Sequence, residues 1–516
     1  MSQTAFETWS DPGSWRLEAP HDSRAQGLVV SPFAHLPEAV ALLLDATAAP
    51  GAGWLRALLE GGTLTVTPAT GKVTDESGAP SGCAALAFTA TGLQQLGLDD
   101  ATMQSFARPF VEGMHEPHRR RRLGDLNMDP PCRLRRPLWG GNMPLPPDTA
   151  PDVDAIVCDK TVHAALLLYH ETADALAAYA SPVRAKLASA GVTVAHELSL
   201  SLRFDDGTPP IAREHFGFAD GISQPSPFGA GIVTKSGASY PRDPYHGVAS
   251  GDVLIGLPDP YGEPSPGPLV ASASPGAAML DEVPGDPTHR DLGKDGTYLV
   301  MRELSQDADA FNASMTKAGK ALGMPAEWVA ERVVGRTKDG VILAANPPAP
   351  EADGPGNHFL YFDTDADGLH CPYGSHVRRA NPRDGLAPTP GDKLTLLTAA
   401  NNHRILRRGR KYASYDVPDA PRLPGLLFMC LNTDIKRQFE FVQQTWMLNP
   451  SFAALVGEQD PLLGPAGPFT IPQQSLRHRP LIETFVRFIG GEYFFLPSLP
   501  ALRYFASLPA PGPAQS

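Results

Sequence analysis

Cysteine is scarce: five residues in 516, Cys83, Cys132, Cys158, Cys371 and Cys430, with no CxxC pair. That scatter excludes a disulfide framework and a thiolate zinc site. Long apolar runs are also missing, and none approaches the ~20 residues that cross a bilayer. The opening MSQTAFETWSDPGSW has neither a basic start nor an apolar core segment. It is not read as a signal peptide, so a cytoplasmic protein without membrane contact is expected. Positive charge is in deficit, with 43 Lys and Arg against 56 Asp and Glu and a net charge of −13. A general nucleic-acid partner is therefore not expected. The run Arg119–Arg122 is a local exception, read as a solvated or cofactor-facing helix end.

Proline is abundant instead. The 54 prolines cluster at 130–151, 258–275 and 347–355, where long ordered connections are expected. Between them, strands and helices mix without regular βαβα alternation. Thr63–Thr67, Ala84–Phe88, Ala164–Tyr169, Val192–Arg203, Gly296–Leu304 and Leu423–Leu431 read as strands. Residues 90–98 after Thr89 or Thr91, the stretch ending at Gly191, residues 305–335 and 434–448 read as helices. PEAVALLLDATAA is apolar around most of its circumference and reads as a buried helix. This order favours an α+β fold with antiparallel sheets. The organisation expected is an irregular segment over 1–26, a first domain over 27–235, a Pro/Gly-rich connection over 236–291, a second domain over 292–504 and a disordered tail over 505–516. Each half begins with a strand followed by a helix.

Several motifs invite chemistry and fail. His115-Glu116-Pro117-His118 has the wrong spacing for a zinc helix, and Pro117 opposes a helix interior. Asp363, Asp365 and Asp367 open like a calcium loop, but its twelfth position is Gly374 instead of a glutamate. Two stretches remain. His370–Asp384 and Asn401–Arg410 set His376 among arginines. That suits an anionic cofactor needing a nitrogen ligand, such as haem, or else a structural arginine network. Cys371 is the alternative ligand. In His215–Pro225, Gly217 and Gly221 bracket Asp220, which suits either close approach to a flat ligand or an ordinary Asx turn.

As a whole string, GFADGISQP resembles the GxxDG signature of the dye-decolorizing peroxidase family. AQGLVVSPFAHLPEAVALLL, LAFTATGLQQLGL and FVEGMHEPHRRRRLGD resemble further family segments in the same order. So do GTYLVMREL, HCPYGSHVRRANPRD, HRILRRGRKY, DIKRQFEFVQQTWMLNPSF and GGEYFFLPSLPAL. The resemblance covers about 26–502 and is nearest to the long-chain branch. It implies two ferredoxin-like halves, each an antiparallel sheet flanked by helices, with one haem b held mainly by the second half. It implies a peroxidase that reduces hydrogen peroxide through a ferryl intermediate and oxidises dyes, phenols or other small donors. Carried over by position, His376 is the haem ligand, Asp220 the distal acid–base and Arg407 the distal arginine, with Arg408 as the alternative. Gly221 and Gln224 accompany Asp220 at the cofactor. Arg378 and Arg383 are candidates for its propionates, and Asp434 for the carboxylate behind His376. Gly409 stands where some branches carry Asn. An aspartate titrates near ~3.9 and a histidine near ~6.5, so a distal Asp suits turnover in acid. The rival reading is a haem-binding or haem-iron handling protein, which would not need Asp220. A third reading, free of the resemblance, is an α+β protein binding an anionic partner. Homo-oligomers are common among relatives, and the site of electron entry stays open among residues such as Trp446, Tyr373 and Tyr412.

Overall fold

The computed structural model describes residues 17–70, 82–125, 136–143, 158–202, 211–227, 245–344, 357–418 and 420–509. Residues 1–16 of the expected irregular segment, most of the proline cluster at 130–151, all of that at 347–355, and the tail from 510 lie outside them.

The first half contains strand β1 (Glu38–Asp45), helix α1 (Gly53–Leu59), strands β2 (Cys83–Phe88) and β3 (Ala164–His170), helix α2 (Ala173–Ser189) and strand β4 (Thr193–Ser201). The strands pair antiparallel in the order β2-β3-β1-β4, the ferredoxin-like arrangement. The second half repeats the plan with strand β5 (Thr297–Gln306) and helices α3 (Ala308–Leu322) and α4 (Ala326–Val334). Short strands β6 (Leu406–Arg407) and β7 (Arg410–Tyr412) follow, then β8 (Gly425–Asn432), a helical stretch over 436–447, and β9 (Val486–Leu496). Here β5 lies between β9 and β8, and β8 carries β6 and β7 on its far edge.

The two sheets join at both edges. Phe495 of β9 pairs with Phe88 of β2, while Lys411 and Tyr412 of β7 pair with Ser201 and Leu200 of β4. The result is a single antiparallel ring of strands. Its interior is a core drawn from both halves, including Leu43, Leu167, Leu299, Met429 and Phe494. The helices cover the outside in a second core. The α+β expectation and its two ferredoxin-like halves hold.

Three local expectations change. PEAVALLLDATAA contains strand β1 where a helix was expected. Ala39, Ala41 and Leu43 face the inner core while Val40, Leu42 and Leu44 face the outer one, so both faces are apolar and the period of two is hidden. Thr63–Thr67 joins no sheet ladder. It is fastened to β2 by Thr67 N–H donating to Ala84 O and Ala84 N–H donating to Thr67 Oγ1, at 3.0 and 2.9 Å. The helix over 436–447 forms, with π turns: Glu440 N–H reaches Ile435 O and Leu448 N–H reaches Gln443 O, five residues back. Beyond residue 244 the expected connection carries a small sheet of Leu269–Ala271, Asp281–Val283 and Asp286–Asp291. Among the described residues, no helix is long and apolar enough to cross a membrane.

Candidate active site

A cavity of about 320 Å³ lies against the outer face of β5 and β8, walled by residues of both halves. That falls within the range of small-molecule and cofactor sites. Much of its wall is apolar, with Phe218, Phe428, Phe439 and Phe488 among its residues. His376, Asp220, Arg407, Arg383 and Gly221 all reach it, although up to 187 residues separate them in the chain.

His376 opens the short helix His376–Ala380. Ser375, just before it, donates its hydroxyl to Arg332 O on α4 at 2.5 Å and so fixes the helix start. His376 Nδ1 lies 3.1 Å from Asp460 Oδ2, and the histidine side chain keeps 30% exposure, toward the cavity that it lines. Nε2, on the opposite edge of the ring, is the nitrogen left for a ligand. Asp460 is fully buried and also accepts the N–H groups of Leu462 and Leu463 at 2.9 Å. Burial pushes its carboxyl up, but facing His376, with Arg379 and the Leu463 amide, holds it below the usual carboxylate range.

Asp434 does not fill this role. It caps the π-helical stretch by accepting Arg437 N–H at 2.9 Å. Sequence reasoning missed Asp460 because it stands 84 residues from His376 in an irregular stretch without periodicity. Its only local signal was the QDPLLG turn.

The Asp220 loop is built around Glu214. Its carboxylate accepts Phe216 N–H at 2.8 Å, Phe218 N–H at 2.9 Å and Gln306 Nε2 at 2.9 Å. Burial pushes the Glu214 carboxyl up despite those donors, with Asp220 adding repulsion. Gly217 and Gly221 take φ of +90° and +79°, where any other residue would be strained. Phe216 and Phe218 anchor the loop on Phe311 of α3. The same loop is clasped to Arg407: Gln224 Oε1 accepts Arg407 N–H at 3.0 Å, and Arg407 Nη2 donates to Ile222 O at 2.5 Å. Gln224 thus holds the arginine's backbone and does not itself line the cavity.

The choice between the neighbouring arginines follows from strand alternation. Arg407 reaches the cavity. Arg408 points the other way and donates to Leu28 O and Val29 O at 2.7 Å each, and burial brings its guanidinium down to about 10. Arg378 is also off the cavity. It is buried between the rings of Tyr361 and Tyr373 and bonded to Asp365 and Cys371 O, so it is not available to a propionate. Cys371 is likewise buried off the cavity, its thiol pushed up by burial to about 11.

Arg383 keeps a place in the wall, joined by Arg336 and Arg404, which the sequence reading left out. Arg383 and Arg336 share Asn357, and Arg383 and Arg404 share Ser223. All three crowd His246, whose imidazole is driven far below its usual value by burial and then by their charge. No carboxylate among the described residues pairs with Arg336. A flat, largely apolar molecule bearing carboxylates and a metal that takes one imidazole fits this cavity: rings on the phenylalanines, carboxylates at the arginines, metal at His376.

No family model matches the chain. Among curated proteins it is similar to the multifunctional dye peroxidase DyP2 of Amycolatopsis sp., 34% identical over 374 residues, covering 67% of this chain and 71% of that one. It is also similar to the dye-decolorizing peroxidase msp1 of Mycetinis scorodonius, 28% identical over 379 residues, covering 66% of each. Among solved structures, DyP2 from Amycolatopsis superposes with a TM-score of 0.65 at 25% identity over 98% of both chains. A DyP-type peroxidase of Anabaena sp. gives 0.68 at 21% identity over 94% of both, which bears on the fold alone. With a third of the aligned residues identical across most of a curated relative, and with that relative's fold, the chain belongs to the dye-decolorizing peroxidase family and is a peroxidase.

Proposed function

We propose that this peroxidase holds a b-type haem in the 320 Å³ cavity, reduces hydrogen peroxide and oxidises small one-electron donors such as dyes and phenols. One observation carries the reading. The loop bearing Asp220 is bonded through Gln224 and Ile222 to Arg407, and both side chains reach the cavity that His376 lines. When bound, the haem would supply the iron and the redox capacity of the reaction. His376 Nε2 would hold that iron, and Arg336, Arg383 and Arg404 its carboxylates.

The chain's own residues do the rest. Asp460 accepts the Nδ1 proton of His376, which fixes the ring's tautomer and strengthens it as a donor. Asp220 carries a proton from one oxygen of peroxide to the other, directly or through one water. Arg407, fixed by its bond to Ile222 O, offers positive charge where negative charge develops on the leaving oxygen.

Rapid mixing of the haem-loaded protein with one equivalent of peroxide tests this. The Soret band should change quickly in the wild type and about 10²–10⁴-fold more slowly in Asp220→Asn or Arg407→Leu. A normal haem spectrum that peroxide leaves unchanged would overturn the reading and make the chain a haem carrier.

A further inference from the structure

The four-arginine run at 119–122 divides its labour. Arg119 is buried and bonded to Glu440, Glu112 and Gly113 O, and Arg120 is buried beside it. Arg121 and Arg122 are exposed, and among the described residues neither makes an ion pair or side-chain hydrogen bond. They stand at a second pocket, of about 190 Å³, with Gln444, Gln459, Leu448 and Leu463. Gln444 and Gln459 likewise have no side-chain hydrogen bond among the described residues. Two guanidiniums and two amides without internal partners therefore meet over an apolar floor.

This pocket adjoins the cofactor cavity. Gly124 and Leu463 belong to the walls of both. Gln459 directly precedes Asp460, and Leu463 N–H is bonded to the Asp460 carboxylate that faces His376. A molecule seated here would share Gly124 and Leu463 with the wall of the larger cavity.

We propose that this second pocket binds an organic anion, an aromatic electron donor carrying a sulfonate or carboxylate. The guanidiniums take the anion, the glutamine amides add donors, and the leucines receive the aromatic body. In a protein of net charge −13, the local pair of arginines decides whether an anion is admitted at all. The electron step, which alone rests on the proposed function, balances simply. Peroxide takes up two electrons and two protons to give two waters, and two donor molecules lose one electron each. A phenolic donor releases its proton to solvent.

The test pairs 1-naphthol-4-sulfonate with its uncharged parent, 1-naphthol, on the haem-loaded protein. Binding is measured by calorimetry without peroxide, and turnover with it. The double variant Arg121→Gln/Arg122→Gln, altered only at exposed positions, should bind the sulfonate roughly tenfold or more weakly. Its KM for the sulfonate should rise in proportion at unchanged kcat, while 1-naphthol and the peroxide-driven Soret change stay as in wild type. Added salt should weaken the sulfonate in wild type and have little effect in the variant. Equal sulfonate binding by variant and wild type, or equal losses for both donors, would overturn the proposal. Loss of sulfonate binding in the variant, alongside a wild-type Soret band that peroxide does not move, would remove the peroxidase reading and leave the binding site standing.

Discussion

At the scale of single residues, the site depends on groups that hold other groups. Asp460 touches the histidine and two backbone amides, so Asp460→Asn replaces one acceptor oxygen by a donor and loosens the ring. Haem affinity, read by spectral titration, should fall 10–100-fold, about what losing such a partner costs. Asp434→Ala should leave that affinity unchanged and cost roughly 1 kcal/mol at the helix start it caps. Glu214→Gln should slow the Soret response to peroxide while haem stays bound, because Phe216 and Phe218 bond to different oxygens of Glu214 and the amide turns one of these into a donor. At this scale the sequence disclosed Asp220, His376 and Arg383 as residues that reach the cavity, through the short strings GFADG and SHVRRANPR, but not Arg336 or Arg404. It concealed Asp460, whose link to His376, 84 positions away, exists only once the chain between them has folded.

At the scale of elements, legibility followed burial. Strands and helices with one wet face, such as β4 and α3, showed their period. Strand β1, buried on both faces and rich in the helix formers Ala and Leu, did not. The rejected zinc-like segment acquires a structural role instead. His118 is exposed while His115 is buried and donates Nε2–H to Gly491 O on β9 at 2.8 Å. Burial, and then Arg120, bring the His115 imidazole down to about 3. The unfolded chain therefore takes up this proton first as pH falls below ~6.5, and the folded state loses stability from there down to about pH 3. This contribution reaches at most roughly 5 kcal/mol. In urea denaturation at a series of pH values, His115→Gln should show a shallower loss of stability over that window than wild type.

At the scale of the whole molecule, the ring of strands is closed unevenly. One seam is a single residue pair, Phe88 with Phe495. Around it pack Phe106, Tyr298 and Phe505, with ring centroids 5.2, 5.9 and 6.4 Å from Phe495. Phe495→Ala should cost about 3–5 kcal/mol in chemical denaturation, as for other buried aromatic truncations. A smaller loss, near that of an exposed residue, would mean that the seam contributes little. The ring also explains why separate halves were legible in the sequence but their union was not. Each half has its own strand pattern, whereas the pairings that join them involve one and two residue pairs and leave no periodic trace.

The order of strands around that ring also orders events during synthesis. β5 is flanked by β8 and by β9, which ends at Leu496, whereas the outer edge of β2 is held by Thr67 and Gln26 as well as by β9. A ribosome that has translated through β8 has produced Asp220, His376 and Arg407, yet β5 still presents an open edge of the kind that recruits other chains. Only after β9 emerges is that edge covered, and Val486 and Phe488 of β9 are then the last residues of the cavity wall to be made.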